Sequence, residues 1–180
     1  VLGYSYTGYA RSSKPPSELD VYADVDAAWD YLMDRKVDAR RVVLYSRSVG
    51  SGPTLYLAER LSSMNTPPAG VVLQSPILSV FRIAFDFRYT LPGDLFPNVD
   101  RVGGARCPVL VIHGTHDEVV PFWHGQELFL ATRPEWRFKP FWITGAGHNN
   151  IELLLRDSGA LFKKLGEFVD FCSARRQAVV

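Results

Sequence analysis

Val42-Val43-Leu44-Tyr45-Ser46-Arg47-Ser48-Val49-Gly50-Ser51-Gly52 decides how the rest of the chain is understood. Apolar residues of strand type run into a tight turn of small residues, and a helical segment follows. A strand, Ser-x-Ser-x-Gly and a helix in that order describe a nucleophile elbow, the sharp turn that lifts a serine hydroxyl above a sheet. Small neighbours are needed because the turn is strained and crowded on both sides of the serine. Ser48 is the candidate nucleophile. Ser46 replaces the first glycine of the usual pattern, and taken alone the stretch fits an ordinary N-cap at Ser48 nearly as well.

The surrounding sequence frames that choice. With 180 residues, 47% hydrophobic and 22% charged at net charge +1, the chain has the composition of one globular domain, 1–180. That balance gives no electrostatic reason to expect nucleic acid as a partner. No apolar run reaches membrane-spanning length and the start has no signal-peptide layout. Cys107 and Cys172 form no metal or redox motif and suit buried thiols of a reducing compartment, with a single disulfide as the alternative. The expected location is therefore cytoplasmic, with membrane association as the alternative.

Amphipathic helices are expected over about Glu18–Lys36 (opened by a capping box from Ser17 to Asp20), Gly50–Leu61, Pro121–Thr132 and Asn150–Cys172. Short apolar strands are expected at Arg41–Tyr45, Val71–Leu73, Pro108–His113 and Phe138–Ile143, with Val1–Tyr4 as an apolar stub inside a strand. Strands apolar on both sides and alternating with helices imply a parallel sheet covered on both faces, with chemistry at the strands' carboxyl ends. The acidic residues of the first helix, from Asp20 to Asp34, suit a solvated face. Residues 77–100, with Phe81, Phe85, Phe87, Tyr89 and Phe96, suit either a short lid lining an acyl groove or a loop packed on the core.

Three loops after three strands carry chemistry. Ser48 follows the first strand of the alternation, Asp117 the third and His148 the fourth, spaced 69 and 31 residues apart. Ser, then Asp, then His is the α/β-hydrolase order. A serine hydroxyl needs a neutral imidazole to take its proton, and a carboxylate holds that imidazole in the useful tautomer. The Val49 backbone N–H at the helix start supplies one oxyanion donor. Glu118 competes with Asp117 for the acid role. His113 and His116 lack the helix-borne spacing of a metal pair, so no metal and no cofactor is expected, and His124 is expected on a helix surface.

Leu44–Gly50, Tyr22–Trp29, Gly8-Tyr9 with Ser12-Ser13, Leu73–Ile77, Phe96-Pro97-Asn98, Val111–Thr115 and Gly145–Asn149 together resemble the membrane-associated serine hydrolases that include protein depalmitoylases. The resemblance implies an α/β-hydrolase fold, thioesterase activity on S-acylated proteins or acyl esters, and a Ser48, Asp117 and His148 triad. It also implies that the chain starts at the fold's fourth strand. The first three strands, the loop with the second oxyanion donor and a membrane-contacting segment would then lie upstream. Departures are Ser5, Ala10, Ser46 and Arg47, the last placing a cation beside the nucleophile. A catalytically impaired scaffold and an aminopeptidase-like hydrolase are the alternatives.

Overall fold

A computed structural model describes residues 1–9, 15–85 and 89–177. Ala10, Ser12, Ser13 and Phe87 lie outside the described residues. Four strands, β1 (Val43–Arg47), β2 (Gly70–Gln74), β3 (Val109–Gly114) and β4 (Phe141–Ile143), form one parallel sheet in the order β1-β2-β3-β4. In register, Leu44 pairs with Val71, Leu73 with Val111 and His113 with Trp142. Every residue of β2 and β3 is buried, because both faces of the inner strands are covered.

Side chains alternate across the sheet, so each strand feeds two cores. Val71, Leu73, Val109 and Val111 meet Leu55 and Ala58 of α2 (Ser51–Ser63) and Leu128 of α5 (Phe122–Ala131) on one face. Val72, Leu110 and Ile112 meet Ile151 of α6 (Ile151–Leu154) and Phe168 and Cys172 of α7 (Ala160–Gln177) on the other. α1 (Glu18–Asp34) lies outside α2, with Val25 and Trp29 against Leu57 and Leu61. Two short helices, α3 (Val80–Ala84) and α4 (Asn98–Arg101), complete the segment between β2 and β3.

Several expectations shift. β1 runs to Arg47, two residues past the expected end, and Arg41 closes a 3-10 turn instead. Val1–Tyr4 forms no strand; a strand needs a ladder partner, and Val1, Leu2 and Tyr4 instead line an apolar groove of about 330 Å3 along β1 with Trp29 and Leu57. The closing helix is two helices, because Gly159 takes φ +62° and Ser158 Oγ accepts from the Ala160 N–H to start α7 afresh. The break rotates the apolar stripe. Leu161, Phe168 and Cys172 are buried, whereas Leu154, Phe162 and Val169 of the expected stripe are exposed. At α1 the Ser17 side chain accepts from Asp20 N at 3.1 Å, as a capping box begins. Two of its acids are not merely solvated. Asp24 accepts from Thr7 N and Oγ1, and Asp26 pairs with Arg60 at 2.7 Å. Among the described residues no helix is long and apolar enough to cross a membrane.

Candidate active site

β1 delivers Ser48 into a 3-10 turn, Ser48–Gly50, from which α2 departs. Ser48 has φ +52°, a left-handed conformation that costs a non-glycine residue about 1–3 kcal/mol and persists only when its surroundings impose it. Those surroundings are specific. Ser51 Oγ donates to the Ser48 carbonyl at 2.7 Å and accepts from Asn98 Nδ2 at 2.9 Å and Ile77 N at 3.3 Å. Asn98 Nδ2 also reaches the Ile77 carbonyl at 2.9 Å. Phe96 packs over Gly52, where a Cβ would come within 2.2 Å of the ring. The aromatic–proline–asparagine segment is therefore a buttress under the elbow. Ser48 caps nothing: Gly50 is the N-cap of α2, and the hydroxyl is left for other partners.

Its partner is an imidazole. His148 Nε2 lies 3.1 Å from Ser48 Oγ, and His148 Nδ1 lies 2.8 Å from Asp117 Oδ2 and 3.0 Å from Oδ1. The Asp117 side chain is fully buried, and that of His148 is 8% exposed. Burial pushes the Asp117 carboxyl up, but the Val120 and Val119 N–H groups at 2.8 and 3.0 Å, with His148, outweigh it and hold the group below the usual carboxylate range. Glu118 does not compete. Its Oε2 accepts from the His148 backbone N–H at 3.1 Å, and glycine at 147 leaves it room, since a Cβ there would lie 2.4 Å away. Thr115 Oγ1 accepts from Gly145 N at 3.0 Å, a further tie between the aspartate and histidine loops. Val49 follows the nucleophile at the start of the turn, where N–H groups have no intrahelical partner.

The remaining histidines separate. His116 is exposed and bonded to Thr115 Oγ1, while His113 is buried with Nε2 donating to the Val120 carbonyl at 3.0 Å and lying 3.3 Å from Asp117 Oδ2. His124 is not on the surface, as the sequence led us to expect, but fully buried. Its Nδ1 accepts from Leu78 N at 3.1 Å and its Nε2 donates to the Arg82 carbonyl at 3.0 Å, tying α5 to the 77–84 segment. The four-residue spacing to buried Leu128 was the available signal. Burial pushes the His124 pKa down to about 4. Below the ordinary value near 6.5, the unfolded chain takes a proton that the native state refuses until about pH 4. Its contribution to stability is thus complete above pH 7 and falls with decreasing pH, by about 2 kcal/mol between pH 7 and 5. Urea unfolding at the two pH values measures this, and His124→Gln removes the His124 component. Equal slopes in both proteins would refute the assignment.

Arg47 extends beside this site. Its Nη2 donates to the His148 carbonyl at 2.7 Å and to Asn149 Oδ1 at 2.5 Å, so the cation clamps the histidine loop onto the elbow. On the same flank Tyr45 donates its hydroxyl to Gln74 Oε1, and Gln74 Nε2 donates to Glu152 at 2.8 Å.

The chain is 42% identical over 172 residues to alpha/beta hydrolase domain-containing protein 17B of Xenopus laevis, covering 94% of this chain and 56% of that protein. It is 45% identical over 155 residues to the human protein 17C, covering 85% and 45%. The chain thus spans about half the length of the curated relatives it matches. No protein-family model matches it. Among solved structures, it superposes on an alpha-beta hydrolase from Vibrio vulnificus with a TM-score of 0.67 at 17% identity, covering 88% of this chain and 61% of that one. A monoacylglycerol lipase of Paleococcus ferrophilus gives 0.60 at 15%, covering 92% and 81%. The chain folds as an α/β-hydrolase. In this α/β-hydrolase fold, loops after β1, β3 and β4 bring the three expected side chains to one end of the sheet, in the chain order read from the sequence. Ser51 and Asn98 are supporting residues that the sequence left without a role, and Glu118, a candidate for the acid from sequence, instead supports the histidine backbone.

Proposed function

We propose that the chain is the catalytic part of a serine hydrolase that cleaves an acyl ester or thioester, with S-acylated proteins as the favoured substrate class. The observation that carries this reading is the continuous line from Ser48 Oγ through His148 to Asp117, with 3.1 and 2.8 Å contacts. With Nδ1–H held by the carboxylate, Nε2 presents its lone pair to the serine hydroxyl. Ser48 Oγ attacks the acyl carbon while its proton passes to Nε2. The tetrahedral oxyanion takes the Val49 N–H, a kind of contact worth about 3 kcal/mol in the barrier. Collapse expels the thiolate or alkoxide, which receives the proton from His148. Water activated by the same imidazole then releases the acid and restores Ser48. The resemblance to the depalmitoylase group supports the thioester, and Val49, exposed directly after the nucleophile, offers apolar surface to an acyl chain.

The test is labelling by a fluorophosphonate probe, followed by turnover of S-acyl, O-acyl and aminoacyl-amide substrates. Wild type should label and Ser48→Ala should not. Labelling that survives Ser48→Ala sinks the triad, whereas faster turnover of the aminoacyl amide would move the substrate class to peptides.

A further inference from the structure

At the opposite end of the sheet, beside the amino ends of the strands, four arginines line one cleft of about 220 Å3. They come from separate parts of the chain: Arg40 before β1, Arg106 before β3, and Arg175 and Arg176 in the last turn of α7. Among the described residues no aspartate or glutamate lines this cleft. In a chain with 20 basic and 19 acidic residues, four cations around one cleft, with Asp38 beside Arg40, are a local concentration of positive charge. The last-turn carbonyls of α7 offer only about half a negative charge, which is not enough to account for four cations.

Two of the four guanidinium groups, those of Arg40 and Arg175, have partners of their own. Arg106 N donates to Ser62 Oγ at 2.8 Å, fixing its backbone. Arg175 Nη1 donates to the Glu135 carbonyl at 2.9 Å, and its guanidinium lies 4.5 Å over the Trp136 ring. Arg40 pairs at 3.2 Å with Asp38, just outside the cleft, and Arg176 is near enough to add to the lowering of that carboxyl. The rest of the wall is apolar: Pro67, Pro68, Pro108 and Trp136, with two buried thiols. Burial pushes both Cys107 and Cys172 up to about 12, so they remain neutral at pH 7.

We propose that this cleft is a binding site for a small amphiphilic anion, a carboxylate or phosphate head on a short acyl or aryl body, separate from the catalytic end. Guanidinium forks match the planar carboxylate and the phosphate oxygens, which they grip bidentately. The proline and tryptophan wall takes the body. The volume is below the ~300–1,000 Å3 of pockets for drug-sized ligands, which selects a head group with a short body. One strand length, about 16 Å, separates this end from the nucleophile, so occupancy does not block Ser48.

Calorimetric titration of the 180-residue chain with phenyl phosphate, hexanoate, inorganic phosphate and benzyl alcohol tests the site, with Trp136 fluorescence as a local reporter. At least one amphiphilic anion should bind with Kd below about 1 mM, and about tenfold more tightly than inorganic phosphate or benzyl alcohol. Comparing phenyl phosphate with hexanoate identifies the preferred head. The double variant Arg106→Ser/Arg176→Ser removes two solvent-facing side chains and should weaken binding by about tenfold or more without changing ester turnover. In Trp136→Phe, the heat should remain and the fluorescence change should vanish. Absence of binding by both amphiphiles, equal binding by benzyl alcohol, or undiminished binding in the double arginine variant would overturn the site.

Discussion

Asp117→Asn should lower kcat for ester hydrolysis by about 10^4, whereas Glu118→Gln should lower it by no more than about tenfold. The two residues are adjacent, similar in charge, and both bonded to His148, yet to different atoms. Asp117 accepts from the ring at Nδ1, and Glu118 accepts from the backbone N–H. An asparagine can still accept from Val119 and Val120, so the loop survives. Its amide, however, turns a donor towards Nδ1. That moves the imidazole proton to Nε2 and leaves no lone pair for the Ser48 hydroxyl. Glutamine at 118 still accepts from the backbone through its carbonyl oxygen and leaves the tautomer alone. Side-by-side kcat measurements on a soluble acyl ester decide the matter. Equal losses would mean that the carboxylates act together on the loop and that Asp117 has no special hold on the base.

The order Ser48, Asp117, His148 was legible because each residue lies in the loop that follows a strand, and parallel strands must present their carboxyl ends on one side. The elbow's small residues alone fitted an N-cap nearly as well, and only the two later loops tipped the reading towards a nucleophile. The elbow's buttress was not legible. Ser51 looked like part of a helix start and Asn98 like a loop residue, and only the fold brings them together, 47 positions apart in sequence. Periodicity located the closing helix but missed its break, because the weak signal of Asp157-Ser158-Gly159 was overridden by apolar residues on either side. His124 was misjudged for a related reason. α5 is short and apolar nearly all round, so periodicity could not say which face meets the 77–84 backbone and needs a polar partner there. The competition between Asp117 and Glu118 could not be decided from sequence either, since it turns on which donor each oxygen meets.

Gly114→Ala should destabilise the fold by about 3 kcal/mol and lower turnover by about 10^2, the second effect following from the first through the histidine loop. Gly114 ends β3 opposite Ile143, and a Cβ there would lie 2.2 Å from the Ala146 carbonyl oxygen and 2.7 Å from its carbon. Both are backbone atoms, so no side chain can rotate away. The same carbonyl accepts from His116 N at 2.9 Å, which couples the two loops that carry Asp117 and His148. Relieving the overlap requires the 145–148 backbone to move away from β3 by roughly an ångström, comparable to the misplacement that costs an enzyme about 10^2 in rate. Gly145→Ala is the control. It has φ +79° but nothing within 4 Å of its Cβ, so it should cost about 1 kcal/mol of backbone strain and leave His148 where it is. Urea unfolding together with kcat on the same two proteins separates the effects. If Gly145→Ala loses as much activity as Gly114→Ala, the loop is sensitive to any strain and the close approach at Gly114 is not what sets the position of the base.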